Sequence, residues 1–203
     1  MHIPDGFLNA PVALGTGVVS AAALIRVVRQ INQNIEAEDI PLMGVLASFV
    51  FMLQLFSFPI LGGTSAHLSG VLLVSILLGP KKGFLIGSVS LMALALLFQH
   101  GGLFSLGANI LNMSLVGSFL GFWFFRILPG KSISIILAGC FSGVVSAFLC
   151  ALELSSSDML VLSTGLPSML AIYAITGLIE GGATLLILNF ISRVKPDLIP
   201  DYS

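Results

Sequence analysis

All eight Lys and Arg of this 203-residue chain fall into four pairs, Arg26/Arg29, Lys81/Lys82, Arg126/Lys131 and Arg193/Lys195, and each pair closes or opens a long, predominantly apolar block. The blocks run over 11–28, 41–58, 67–79, 83–99, 103–128, 132–153 and 167–191. Most approach the ~20 residues that carry a helix across a bilayer. Only 8% of the chain is charged and its mean hydropathy is +1.10, against roughly a quarter charged residues in ordinary globular chains. The expectation is an all-α integral membrane protein, one domain over 1–203, with seven transmembrane helices. Seven passes put all four cationic pairs on one side, and a missed or extra helix would scatter them. By the positive-inside rule that side is cytoplasmic, so the N-terminus lies outside and the C-terminus inside. No Lys or Arg precedes the first block, so a cleaved leader is not expected and Met1 stays in the mature chain. A net charge of −1 offers no basic surface for nucleic acid.

This topology sorts the remaining polar residues. His2, His67 and His100, with Asp5, Glu153 and Asp158, all fall on the outer side. A mouth with acids and imidazoles but no Lys or Arg favours a cation over an anion. Neutral imidazole is also the commonest metal ligand.

The opening Met1-His2-Ile3-Pro4-Asp5-Gly6-Phe7 has a chemistry of its own. Its terminal amine, the peptide nitrogen of His2 and the His2 imidazole can close fused chelate rings on one ion. A bulky second residue such as His blocks removal of the initiator Met, so the amine is that of Met1. A fourth nitrogen in the plane would suit Ni(II) or Cu(II) better than tetrahedral Zn(II) or oxygen-seeking Mg(II), and His67 is the candidate. The alternative is that His2 is a polar residue on a frayed terminus. The stretch Pro59 to His67, with Gly62-Gly63-Thr64-Ser65, is too apolar for a solvated loop. It is expected to dip into the protein, as non-helical backbone does where it lines a cavity, with His67 at the floor of an outer pocket. Pro4-Asp5-Gly6 is a turn signal that folds the terminus down toward it. Asp5 is a candidate to orient an imidazole through its second N–H, and Ser65 is a further candidate neighbour of the ion. His100 reads as a helix-end residue facing water, with a ligand on the ion's entry path as the alternative.

Together, Met1-His2-Ile3-Pro4-Asp5-Gly6-Phe7 and Gly62-Gly63-Thr64-Ser65-Ala66-His67-Leu68 resemble the CbiM/NikM family, the substrate-capture membrane subunits of cobalt and nickel energy-coupling-factor transporters. The resemblance covers essentially the whole chain. It implies that the Met1 amine, the His2 amide and imidazole nitrogens and the His67 imidazole hold the ion, with residues 1–8 as an extracytoplasmic metal-binding segment. It implies Ni(II) or Co(II) as bound substrate, and a planar four-nitrogen site favours Ni(II); the cobalt alternative would supply cobalamin synthesis. The implied setting is a prokaryotic inner or plasma membrane. The implied partners are a transmembrane coupling subunit, cytoplasmic ATPase subunits and a small accessory membrane subunit, with the capture subunit toppling in the lipid.

An energy source elsewhere is needed, because the chain carries no GxxxxGK[ST] phosphate loop and reads as a transport subunit rather than an enzyme. Small residues allow close approach of a partner helix, and Gly17, Ala21, Gly44 and Ser48 are candidates, with packing inside the subunit as the alternative. Glu180 is the one acid deep within a span and so a functional candidate. Its expected contact is the coupling subunit or a buried partner such as Asn109 or Asn112, and not the metal. Other classes fit less well. An intramembrane hydrolase could use Ser142, but acyl transfer needs a base within hydrogen-bond reach and every histidine lies at the outer surface. A vitamin pocket would need more aromatic lining there. A passive channel would be blocked by a tight chelate. Cys140 and Cys150 lie ten residues apart in one helix, about 15 Å along its axis, too far to pair.

Overall fold

Long runs of apolar side chains leave a backbone in lipid one local way to satisfy its N–H and C=O groups, which is the helix. The computed structural model describes residues 2–33, 35–37, 39–56, 58–60 and 64–200, with backbone only for 58–60 and 64–66. Its helices are α1 (Ala10–Asn32), α2 (Asp39–Leu55), α3 (Val71–Leu78), α4 (Pro80–Phe98), α5 (Leu106–Asn109), α6 (Phe122–Ile127), α7 (Lys131–Ser155) and α8 (Leu162–Val194). A π-helical stretch, Ile110–Gly121, fuses α5 and α6 into one rod, and a 3-10 turn, Pro196–Leu198, follows α8. Two short antiparallel strands, β1 (Phe58–Ile60) and β2 (Thr64–Ala66), pair between α2 and α3.

Five of these elements, α1, α4, the rod over 106–127, α7 and α8, are long and apolar enough to cross a membrane. The molecule is thus a helical, multi-pass membrane protein. The third apolar block behaves differently from a span. Its helix has 8 residues, roughly 12 Å at 1.5 Å per residue, far short of a ~30 Å hydrocarbon core. Val71, Leu72, Val74 and Ser75 are all buried, so α3 owes its apolarity to a place at the centre of the protein. His67 precedes this helix rather than opening it.

Most other boundaries shift by up to three residues, and two shift further. Helix α1 continues past Arg26 and Arg29 to Asn32, because long cationic side chains reach water from inside a helix end. Helix α8 begins at Leu162 and carries Pro167 in its second turn. The ladder opens with the Gly165 N–H on the Val161 carbonyl, so Pro167 costs the helix a single bond near its start.

Glycine faces set the closest helix contacts. A Cβ on Gly139 would stand 2.5 Å from the Gly177 carbonyl oxygen, and one on Gly181 would stand 2.6 Å from the Ile136 Cα. The pairs Gly139/Gly143 and Gly177/Gly181 are both spaced by four, the small-xxx-small geometry that brings two membrane helices into backbone contact. At the opposite flank, a Cβ on Gly107 would stand 2.4 Å from the Gly17 Cα, and the Ser20 hydroxyl donates to the Gly107 carbonyl at 2.6 Å. At the cationic end, Lys82 pairs with Asp39 at 2.6 Å and joins the starts of α2 and α4. Cys140 and Cys150 are unpaired thiols.

Candidate metal centre

Three peptide segments meet at the end of the bundle opposite the Lys82–Asp39 pair. The first is the N-terminal strand of chain, held by its own backbone. The Ile3 N–H donates to Asn109 Oδ1 at 2.8 Å, while the Ile3 carbonyl accepts from Asn109 Nδ2 at 3.1 Å, Ser105 Oγ at 2.6 Å and the Gly102 N–H at 3.0 Å. The Ile3 side chain, 2% exposed, enters the core beside Leu91, Ala108, Ile110 and Met113. Residue 2 is therefore anchored from its C-terminal side. The structure gives Asp5 a different partner from the imidazole expected of it. Its carboxylate accepts from the Leu103, Phe104 and Ser105 N–H groups at 3.0, 2.8 and 3.3 Å. Asp5 thus pins the opening turn to the loop before α5, since backbone donors ahead of a helix attract a carboxylate.

The second segment ends α4. Gln99 takes a left-handed conformation (φ 52°), and the N–H groups of Gln99 and His100 both return to the Leu94 carbonyl. This reversal folds His100 inward instead of leaving it facing water. The third segment carries His67, which is 6% exposed. Its Nδ1 lies 3.3 Å from the Leu68 carbonyl, which selects the Nδ1–H tautomer and puts the ring's lone pair on Nε2. Gln54, wholly buried, donates to the Ser69 carbonyl at 3.1 Å.

These segments bring all three histidines together. The His2 and His67 ring centroids lie 4.5 Å apart with planes 20° from parallel, and His100 stands edge-on to His2 at 4.3 Å. An imidazole bound through nitrogen at about 2.0 Å holds its ring centre roughly 3 Å from the ion, so two rings sit about 4.5 Å apart when cis and about 6 Å when trans. Both observed pairs match the cis spacing. His2 Nδ1 and Nε2 and His100 Nε2 are buried and make no well-formed hydrogen bond among the described residues, although the Gln54 main chain lies near enough to the His2 ring to act on its charge. Buried polar atoms left without a well-formed bond are uncommon, and here three belong to two touching imidazoles. Burial lowers the pKa of each ring below the ordinary histidine value, and the neighbouring His67 adds to the effect at His2. The rings are therefore neutral at pH 7 and present lone pairs.

Among the described residues no three His, Cys, Asp or Glu side chains converge into a ready metal cage. Met1 lies outside the described residues, as do Gly62, Gly63 and the side chain of Ser65.

Beneath His67 a cavity of about 40 Å³ is lined by Ser69, Ser146, Tyr173, Thr176 and Glu180. Glu180 joins neither Asn109 nor Asn112. Its carboxylate accepts from Ser69 Oγ and from the Ser69 and Gly70 N–H groups at 3.2 and 3.1 Å, whereas Asn112 donates to Glu153 at 2.6 Å. Ser142 also borders the cavity, but its hydroxyl donates to the Gly139 carbonyl one turn back at 3.1 Å. Of the small residues proposed for a partner surface, Ala21, Gly44 and Ser48 are exposed, and Gly17 is half-buried against Gly107. Gln54 and Ser105 were not singled out in the sequence. Gln54 carried a usable signal, as the lone amide in an apolar block, while Ser105 carried none.

The family model described as the cobalt uptake substrate-specific transmembrane region, CbiM, matches residues 2–198. The chain belongs to the CbiM family. A fused nickel transport protein, NikMN, of Archaeoglobus fulgidus is 35% identical over 98% of this chain and 68% of its own length. The cobalt transport protein CbiM of Geobacter sulfurreducens is 30% identical over 98% of this chain and 61% of its own. The crystal structure of a truncated transition metal transporter superposes with a TM-score of 0.89 at 27% identity, covering 95% of this chain and 99% of that one. As a CbiM-family protein the chain is a metal-transport component. The imidazole cluster occupies the end of the bundle where its N-terminal segment is tied down.

Proposed function

We propose that this CbiM-family chain captures Ni(II) at the outer face of a prokaryotic plasma membrane, as the substrate-specific subunit of an ATP-driven energy-coupling-factor transporter. The observation that carries this reading is the cis spacing of His2 and His67, combined with buried His2 ring nitrogens that make no well-formed hydrogen bond among the described residues. The Met1 amine, the His2 amide nitrogen and the His2 imidazole form the fused chelate, and His67 Nε2 closes the plane. Four nitrogens in a plane favour Ni(II).

In this reading the N-terminus lies outside and the C-terminus in the cytoplasm. The eight Lys and Arg, grouped at alternate helix ends, support that orientation. A coupling membrane subunit, cytoplasmic ATPases and a small accessory membrane subunit supply the driving force, because a tight chelate does not release its ion unaided. Ala21, Gly44 and Ser48 lie on helix faces open to such a partner or to lipid. Co(II) uptake is the second reading. It is favoured by the edge-on His100, since a further nitrogen near the plane suits a metal that accepts five ligands, and by the cobalt relative's name.

The test is calorimetric titration of Ni(II), then Co(II), into detergent-purified protein that begins at Met1, beside a version with one residue added before Met1. Tight one-to-one binding by the first and none by the second is expected, with the stronger ion identifying the substrate. Equal binding by both, or none, would remove the terminal amine from the site.

A further inference from the structure

The N-cap residue of helix α3 has no side chain to cap it. Its N-cap is Gly70, at φ 67°, in a turn so tight that an added Cβ would meet Leu53 Cδ1 at 3.0 Å and Val50 Cγ2 at 3.3 Å. The cap is shared between the Ser69 hydroxyl and a carboxylate 110 residues away. The Glu180 carboxylate accepts from the Gly70 N–H, the Ser69 N–H and the Ser69 hydroxyl, and that hydroxyl in turn lies 3.3 Å from the Val71 N–H. A carboxylate at a helix N-terminus is stabilised both by the unpaired N–H groups and by the helix dipole.

From the other side, Gln54 donates to the Ser69 carbonyl. The dipeptide that follows His67 and Leu68 is therefore clamped at its N–H groups by α8 and at its carbonyl by α2. Glu180 is itself rigidly mounted, because Gly177 and Gly181 on either side of it press backbone to backbone against Gly139 and Ile136 of α7.

We propose that Glu180 is a positioning residue for metal capture: it holds Ser69 and Gly70 so that the His67 imidazole is presented at the cis spacing to His2. The inference rests on the reading of His67 as a metal ligand. The carboxylate never touches the ion. It fixes the segment that aims the imidazole, and the Leu68 carbonyl contact fixes the tautomer. Neutral Gln in its place would turn an amide NH2 or a single oxygen toward three donors and leave the turn unmatched. Partners that orient a metal ligand typically contribute 10- to 100-fold to affinity.

The experiment compares wild type, Glu180→Gln, Ser69→Ala, His67→Ala and the double variant His67→Ala/Glu180→Gln. Each is checked for its apo melting curve, Ni(II) affinity and Ni(II) d–d spectrum. Glu180→Gln is expected to weaken Ni(II) at least ten-fold and Ser69→Ala several-fold, with the planar d–d bands broadened. In the His67→Ala background, adding Glu180→Gln is expected to change the residual affinity by less than two-fold, because the residue acts only through His67. An equal loss in both backgrounds, or wild-type affinity in folded Glu180→Gln, would overturn the proposal. If Glu180→Gln does not fold, wild-type affinity in Ser69→Ala overturns it. If His67→Ala binds like wild type, it is the metal-ligand reading beneath that fails.

Discussion

Ile3 and Asp5 hold the first residues of the chain through hydrogen bonds that mostly join a side chain to a distant backbone group, and which backbone group meets which side chain is not written in the letters of the sequence. Asn109 was in view only as a partner for Glu180, yet both atoms of its amide are committed to Ile3. The histidines themselves were legible, because a residue that carries a nitrogen lone pair stands out in an apolar chain. Their protonation follows from burial. With the three imidazoles already neutral at pH 7, they release no protons when metal binds, and any pH dependence above pH 6.5 belongs to the main-chain donors. An amine with an ordinary value of about 7.7–8.0 and an ionising amide together give up nearly two protons per ion. Ni(II) affinity is therefore expected to fall on the order of a thousand-fold from pH 8 to pH 6, in competition titrations against a chelator of known pH behaviour. A flat profile over that range would leave the imidazoles as the binding groups and exclude the amine and amide.

At the level of the element, helix existence was readable and helix ends were not. Pro167 suggested a start that occurs five residues earlier, and Gln99, in a left-handed turn usually left to glycine, sends His100 back toward the terminus. Both depend on dihedral choices that side-chain chemistry only weakly biases. The glycine contacts are similarly one-sided. A Cβ on Gly107 would strike the backbone of α1, whereas one on Gly17, across the same crossing, meets nothing within 4 Å. Gly107→Ala is thus expected to lower stability by about 1–3 kcal/mol through overpacking and to weaken Ni(II), since Asn109 follows two residues later. Gly17→Ala is expected to leave both within error. Thermal melts in detergent, run with and without metal, check the pair, and equal effects would place the tight contact elsewhere.

For the whole molecule, the helical multi-pass architecture was readable because length, hydropathy and charge are sums over local residues. One block misled, since α3 is apolar from being enclosed by protein rather than by lipid, and no property of Val71–Leu78 alone separates the two surroundings. Orientation can be checked directly. With Cys140 and Cys150 replaced by alanine, Phe104→Cys, at a side chain 82% exposed, is expected to react with a membrane-impermeant thiol reagent in intact cells. Lys195→Cys is expected to react only after permeabilisation, and the reverse pattern would invert the proposed topology. What the sequence by itself determined was the class of fold, the segregation of charge and the residues that carry donor nitrogens, all of which are properties of a residue and its near neighbours. Which polar groups meet was decided by the tertiary structure alone. Glu180 on Ser69 and Gly70, Asn109 on Ile3, and His100 on His2 each join residues about a hundred positions apart. Such contacts depend on how glycine-faced helices rotate and stack, a many-body outcome with no local trace.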